Sequence, residues 1–499
     1  MTRLLTSTHL KTSPKLVIVL ALLGLFLTGC ATVPSEERRY DVVYSPTQLK
    51  EDLAFIDEKL RTIHPNLFSR QSEASYSEAY DETYKTLIGP SNRRQYFTNI
   101  APLLASFQDT HIQLQLPVEE FTEFSTQQGL FPLKVLITEG KFVVIADEQD
   151  LPTIPVGAEI KSINGVSIEE LLPQLGQLVP SETETGRVRL IQVHLAKLLW
   201  AVFPNQNQYE VTYAWRNREF VEQLVPELNF EQVIEPPTTA PLISSYGTRT
   251  IDSKTSLLWL NDFNESYGTF NEFLEGYFTQ LREQNKTRLI LDLRYNQGGL
   301  TDNLKLLLSY LSPRPINWAE RARLKVSDEF KKQHRALVGS TKSDKYTAYL
   351  GWLPMEYLNL WQWELLFSSD GDVLETNIDP LIENQEMFFQ GDIVVLSNGY
   401  CFSACAALLS NLQSHELATI LGESPGSYIG TQYGYPIQVR LPNTGLMLSL
   451  PAMEIILHED VGSTKDLEPN YVVVRTQDDV IKNQDIVLKK ALEYIREKQ

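Results

Sequence analysis

Cysteine is nearly missing from this chain: three residues in 499, at Cys30, Cys401 and Cys405. No CxxC spacing occurs, which removes the usual thiolate frame of a metal site. Basic runs are missing too. No stretch of five or more Lys or Arg appears, and 44 basic against 63 acidic residues leave a net charge of −19. Such a body repels nucleic acid and anionic lipid surfaces, so neither is expected as a partner through charge. Long apolar runs are scarce, and the stretch "LVIVLALLGLFL" at 16–27 is too short to span a bilayer. What the chain does have is 42% hydrophobic residues, ample for large packed cores over several domains.

The short apolar stretch follows Arg3, Lys11 and Lys15 and ends in "LTGC" (27–30), the order of a secretory signal. "LTGC" resembles the lipobox of bacterial lipoproteins, in which the cysteine is acylated and becomes the mature first residue. Residues 1–30 are therefore expected to be the lipoprotein signal, cleaved ahead of Cys30, which is lipidated, with 31–44 forming a polar tether. Loss of the three positive charges takes the net charge from −19 to −22. Ala31 stands where inner-membrane retention usually shows Asp. The expected location is the cell envelope, lipid-anchored at the outer membrane and facing the periplasm. In an oxidising compartment Cys401 and Cys405 have the option of bridging; two small thiols packed around a tight turn are the expectation adopted.

Beyond the tether, Leu49, Leu53, Ile56, Leu60 and Ile63 recur every three or four residues, an amphipathic helix that stops at "HPN" (64–66). A second helix runs into "IAPLLASFQDTHIQLQLP" (100–117), where helical spacing gives way at Asp109–Thr110–His111 to an alternating strand. His111 sits at that hand-over, within an N-terminal helical segment 45–125. Residues 126–235 read as a separate β-rich module. "KFVVIA" (141–146) and "YEVTYAW" (209–215) are strand-like, and Asn164–Gly165 is a turn between ordered segments. The module resembles a PDZ domain, which captures peptides by strand addition. From 236 to 499, "SLLWL" (256–260), "RLILDL" (288–293) and "DIVVL" (392–396) alternate with helices, an α/β core with buried, largely parallel strands. A Trp- and Tyr-rich insertion lies at about 313–390 and includes Trp318, Trp352, Trp361 and Trp363.

Three separated segments point to one chemistry. "LILDLRYNQGG" (289–299) ends a buried strand in two glycines, whose backbone N–H groups are able to approach a reacting atom closely. "LSNGYCFSACAALL" (396–409) leads from a strand through a turn to Ser403 at a helix start, with the Ala404 N–H beside it. A serine there is otherwise an N-cap, and a double glycine otherwise a turn. The third segment is "DTH" at 109–111. Their order, with the PDZ-like module between, then "GE" (422–423) and "LEPNYVV" (467–473), resembles the C-terminal processing, or tail-specific, serine peptidases over roughly 45–499.

That resemblance implies a core like the Clp-protease and crotonase folds, a polypeptide substrate, and no metal or organic cofactor. Many members use a Ser/Lys dyad, but Ile429 occupies the lysine's place and the next lysine is the distant Lys465. The Ser/His, tricorn-like branch fits instead: Ser403 as nucleophile, His111 as base, Gly299 and Ala404 as oxyanion donors. The acid that branch supplies from a C-terminal loop corresponds to Glu459, with Asp460 beside it. The competing reading is a non-catalytic binding lipoprotein on the same fold. It draws on the missing lysine and on Ala406, which stands where the family usually has Glu.

For the anchor, wild-type protein should fractionate with membranes, while Cys30→Ser should escape cleavage at residue 30. A native mature protein that is soluble and unacylated would refute it.

Overall fold

The computed structural model describes residues 42–203, 207–228, 244–339, 368–378, 380 and 385–498, with the backbone only at 335–339. Cys30, the signal segment and most of the tether lie outside these residues, as do Trp352, Trp361 and Trp363 of the Trp-rich stretch. From Tyr44 onward the chain forms one compact unit containing three sheets.

The first sheet is built from the apolar runs. Thr255–Leu260, Arg288–Asp292, Asp392–Ser397, Thr419–Gly422 and Tyr471–Val472 pair in parallel, and Tyr246–Thr250 adds an antiparallel edge. Leu289 through Asp292 are all buried, as a strand covered on both faces requires. Helices cover it. Tyr267–Glu283 buries Phe270, Leu274, Tyr277, Phe278 and Leu281, and Ala404–Ser414 is buried from Ala404 to Leu412. The carboxyl ends of Arg288–Asp292 and Asp392–Ser397 lie side by side, with Asp292 opposite Leu396. The glycine turn and Ser403 both follow from those ends, where open α/β sheets place their ligands.

One side chain locks the glycine-bearing strand end to the end of the chain. Arg294 donates to Asp292 at 2.9 and 2.7 Å and to Asp485 at 2.8 and 2.9 Å. Asp485 is also the N-cap of the helix Ile486–Glu497, accepting from the Leu488 N–H. The two carboxylates hold the guanidinium charged despite its burial.

The N-terminal helix Pro46–Ile63 forms as its spacing predicts. Ser45 and Gln48 make a capping box, Pro46 sits in the first turn, and Leu49, Leu53, Ile56, Leu60 and Ile63 are buried. The helix Arg93–Ala105 ends just before Asp109. The strand after His111 is shorter than its alternation suggests: only Gln113–Leu114 pairs, antiparallel to Met447–Ile456. His111 therefore lies on a turn. The second sheet joins that strand to Met447–Ile456, Thr431–Arg440, Arg321–Lys325 and Val373–Asn377. The last two strands show that part of the 313–390 insertion is sheet.

The third sheet is antiparallel and comes from the β-rich module: Leu133–Thr138, Lys141–Asp147, Glu159–Ile163, Tyr209–Trp215 and Arg218–Leu224. Asn164 and Gly165 make its tight turn with φ of +51° and +78°. A long helix that the sequence pattern did not announce, Glu184–Val202, leaves this sheet and reaches the core, where Arg189 Nε donates to Glu423 at 3.0 Å. Among the described residues no helix is long and apolar enough to cross a membrane.

Replacing Asp485 with Ala removes one of the two carboxylates from a buried guanidinium. It should cost about 3 kcal/mol, read as a lower urea midpoint at unchanged slope. An unchanged midpoint would mean that Arg294 does not hold the C-terminal helix.

Candidate active site

Ser403 stands in a conformation that serine rarely adopts, φ +50° and ψ −123°. It makes no side-chain cap bond, so the plain N-cap explanation fails. Its own N–H donates to Ser427 Oγ at 3.0 Å, and its carbonyl accepts the first helical bond, from Ala407. Among the described residues its hydroxyl and the Ala404 N–H have no partner.

The glycine turn lies directly against this residue. A β-carbon on Gly298 (φ +92°) would fall 2.8 Å from the Phe402 carbonyl oxygen and 2.9 Å from Ser403 Cβ. Only glycine fits there. Asn296 sets the turn, accepting the Gly298 N–H at 2.8 Å on its side chain and the Phe402 N–H at 3.2 Å on its carbonyl. The Gly299 N–H is thereby left without a partner among the described residues. Two unengaged backbone donors, Gly299 and Ala404, thus flank a serine with an unengaged hydroxyl.

The second half of the site is a buried acid shared by two histidines. Asp109 Oδ1 lies 3.1 Å from His111 Nδ1 and accepts the His111 N–H at 2.9 Å, while Asp109 Oδ2 lies 3.3 Å from His64 Nε2. The Asn66 N–H donates to His64 Nδ1 at 3.1 Å, so that nitrogen is unprotonated and the His64 proton sits on Nε2, facing Asp109. By the same logic Asp109 holds the His111 proton on Nδ1, leaving Nε2 bare. Burial alone would raise the Asp109 carboxyl, but hydrogen bonds from His111 and His64 hold it well below the usual carboxylate range. Burial pulls both imidazoles down. For His64 it wins; for His111 the bond and charge of Asp109, with the charge of Glu182, raise it above 6.5.

Glu182 joins the two halves. Its Oε1 accepts from Thr110 Oγ1 at 3.2 Å, and its Oε2 accepts the Tyr428 N–H at 2.8 Å, next to the Ser427 that holds Ser403. Burial raises its carboxyl, against the nearby Arg70 guanidinium. Arg70 donates to the carbonyls of Gln108 and Thr431 at 2.5 and 2.8 Å and lies over the rings of Tyr428 and Tyr433. Asp109, His111 and Glu182 each present a donor atom within 4.8 Å of the others, close enough to hold a divalent ion. Both carboxylates are already engaged by protein donors.

Two expectations are corrected. Glu459 lies exposed on the short turn Glu459–Val461, ion-paired with Arg321, and the ring of His111 meets Asp109 instead. Asp460 on the same turn is also exposed. Cys401 and Cys405 are not packed thiols but a disulfide. Ile429 is buried with its N–H on the Lys465 carbonyl, and Lys465 itself is exposed, so no lysine side chain replaces it. Glu182 and Ser427 had no signal in the sequence beyond being polar. Asp109 stood in plain view within "DTH".

Residues 254–473 match the family model Peptidase_S41, peptidase family S41. No curated protein sequence matches the chain. Among solved structures it is similar to mature CPAF, at 16% identity and a TM-score of 0.60 over 87% of this chain and 94% of that one. It is similar to a serine-to-alanine mutant of CPAF at 15% identity and 0.64, over 87% and 94%. Mature CPAF complexed with lactacystin matches at 15% and 0.61, over 90% and 97%. At these identities the likeness is one of fold alone. Residues 254–473, which hold both glycine-bearing strand ends and Ser403, match the model of peptidase family S41, and that match supports a serine-type peptidase.

Proposed function

We propose that this peptidase works through Ser403 and His111 and acts on polypeptides from a lipid anchor at Cys30. The observation that carries the reading is Ser403 itself, held left-handed at a strand-to-helix turn with its hydroxyl unengaged. Ser403 Oγ attacks the scissile carbonyl as His111 Nε2 takes its proton. Asp109, in place of Glu459, orients the imidazole and stabilises its cation. The Gly299 and Ala404 N–H groups receive the oxyanion, each such donor being worth about 3 kcal/mol of barrier. His111 then protonates the leaving amine, and water repeats the sequence to release the acyl group. No step calls on a metal or organic cofactor.

The branch is therefore Ser/His rather than Ser/Lys, in keeping with Ile429. The parallel core corresponds to a Clp-like or crotonase-like arrangement, and the antiparallel module to a PDZ-like element that presents substrate. The anchor reading puts the enzyme on the outer membrane facing the periplasm. It rests on "LTGC" and its preceding apolar run. A non-catalytic binding role is not favoured, because a binder has no use for a strained serine beside two unengaged backbone donors.

A fluorophosphonate probe should label wild-type protein and fail on Ser403→Ala; equal labelling of both would remove Ser403 as nucleophile. His111 is the base only when Nε2 is unprotonated, and its neighbours raise it above 6.5. Activity, read as kcat/KM on an unfolded polypeptide, should accordingly rise with pH through a midpoint above 6.5 and then level off. Asp109→Asn removes the charge that raises the imidazole. Its midpoint should fall, and its plateau should drop by about 10³–10⁴-fold as the tautomer is lost. A plateau within a few-fold of wild type would release Asp109 from the role.

A further inference from the structure

The bridge between Cys401 and Cys405 encloses the residue that does the chemistry. Its two Cα atoms lie 5.3 Å apart, four positions apart in the chain, with Ser403 midway between them. Both cysteines are fully buried. The conformation inside this ring is the unfavourable one, φ +50° at a non-glycine residue. Such a conformation persists only where its surroundings over-determine it. Relaxed alternatives for Ser403 are extended backbone or one more residue of helix, and either would re-aim its hydroxyl. A covalent link from the residue two before to the residue two after narrows both options. The ring is also tied outward. The Cys401 N–H donates to the Asn398 carbonyl at 3.1 Å, and the Cys401 carbonyl accepts the Gly426 N–H at 2.8 Å. Gly426 is followed by Ser427, whose Oγ accepts the Ser403 N–H.

We propose that the Cys401–Cys405 disulfide is the positioning element of the nucleophile turn, so that full peptidase activity requires the oxidised bridge. The inference rests on Ser403 being the nucleophile. Oxidation removes two electrons and two protons from the thiols and passes them to a thiol-oxidant disulfide, which becomes a dithiol; a strong dithiol reverses the exchange. Thiols stay reduced in the cytosol and pair in an oxidising compartment. A chain bearing an export signal therefore completes its nucleophile only after leaving the cytosol, and its unbraced serine spares cytosolic proteins.

The test uses the full chain carrying Cys30→Ala, so that only the two bridge thiols titrate. The protein is reduced with dithiothreitol until both react with a maleimide in an aliquot freed of dithiothreitol and denatured, and the rate of fluorophosphonate labelling is measured beside the oxidised form. Reduction should slow labelling by about tenfold or more. On a peptide substrate kcat should fall by the same factor with KM nearly unchanged, and reoxidation with oxidised glutathione should restore both. Cys401→Ala/Cys405→Ala should match the reduced form under either condition. Folding is followed by circular dichroism, and if the double variant does not fold, the reduced and reoxidised wild-type bridge decides. Folded reduced protein that labels at the oxidised rate, while Ser403→Ala does not label, overturns the proposal and leaves the nucleophile standing. Labelling of Ser403→Ala at the unsubstituted rate overturns both.

Discussion

Three backbone segments approach the turn before Ser403 so closely that a β-carbon has no room, and the geometry of the site depends on that crowding. On one side is Gly298, against Phe402 and Ser403. On another is Gly426, where a Cβ would fall 2.2 Å from the Phe402 ring. On the third is Gly399 itself, where a Cβ would meet the Thr185 carbonyl at 2.3 Å. The contacts come from the strand end after Asp292, the loop after Gly422, and the start of the helix Glu184–Val202. A turn wedged by three separate elements cannot relax one residue at a time. That is the condition under which a serine at positive φ, a cost of order 1–3 kcal/mol, survives.

The charged half of the site follows a similar logic of exclusion. A buried carboxylate is tolerated only when its oxygens are fully used, and Asp109 accepts from the His111 backbone and faces two imidazoles. The Asn66 N–H fixes His64 as the neutral donor, so protonation there would need a second proton on a nitrogen that already accepts. His111 is left as the ring whose outer nitrogen is able to take a proton. Arg70 stabilises the carbonyl of Gln108, itself at φ +52°, and so fixes the approach of the chain to Asp109. Asp109 and the turn before it are thus held by hydrogen bonds from outside the "DTH" triplet, and His111 by its bonds to Asp109 within it.

Much of this was legible in the residues. The parallel strands read as continuous apolar runs because both faces are covered, and the helix Pro46–Ile63 announced itself by its spacing. His111 and Ser403 stood out because the pattern changes period at each. Other features were hidden for physical reasons. Thr431–Arg440 carries Gly434, Pro436 and several polar residues, and shows no clean alternation although it is a ten-residue strand. Glu182 sits in "SETETG", where nothing separates a buried glutamate from a solvated one. Cysteines four apart at a helix start have the spacing of ordinary helix packing, so the bridge was indistinguishable from two thiols. Glu459 followed from motif order, while the bond between Asp109 and His111 is made by a turn over two residues. Motif order does not contain that turn.

The helix Glu184–Val202 explains why the module and the site form one compact unit. Its first turn packs at Gly186 against Gly426, and the Thr183 hydroxyl donates to the Pro425 carbonyl at 3.0 Å. One turn later Arg189 spans two layers, donating to the Ile137 carbonyl at 3.0 Å on the module's edge strand and to Glu423 beside the loop that holds Ser403. Gln192 Oε1 accepts the Ile137 N–H at 3.0 Å. Both backbone groups of Ile137 are thus satisfied from within the chain, which closes that edge to strand addition at this residue. Any peptide that paired there would have to release Arg189 from Ile137. Arg189 is also held by Glu423, so the edge of the module and the loop that holds Ser403 share one guanidinium.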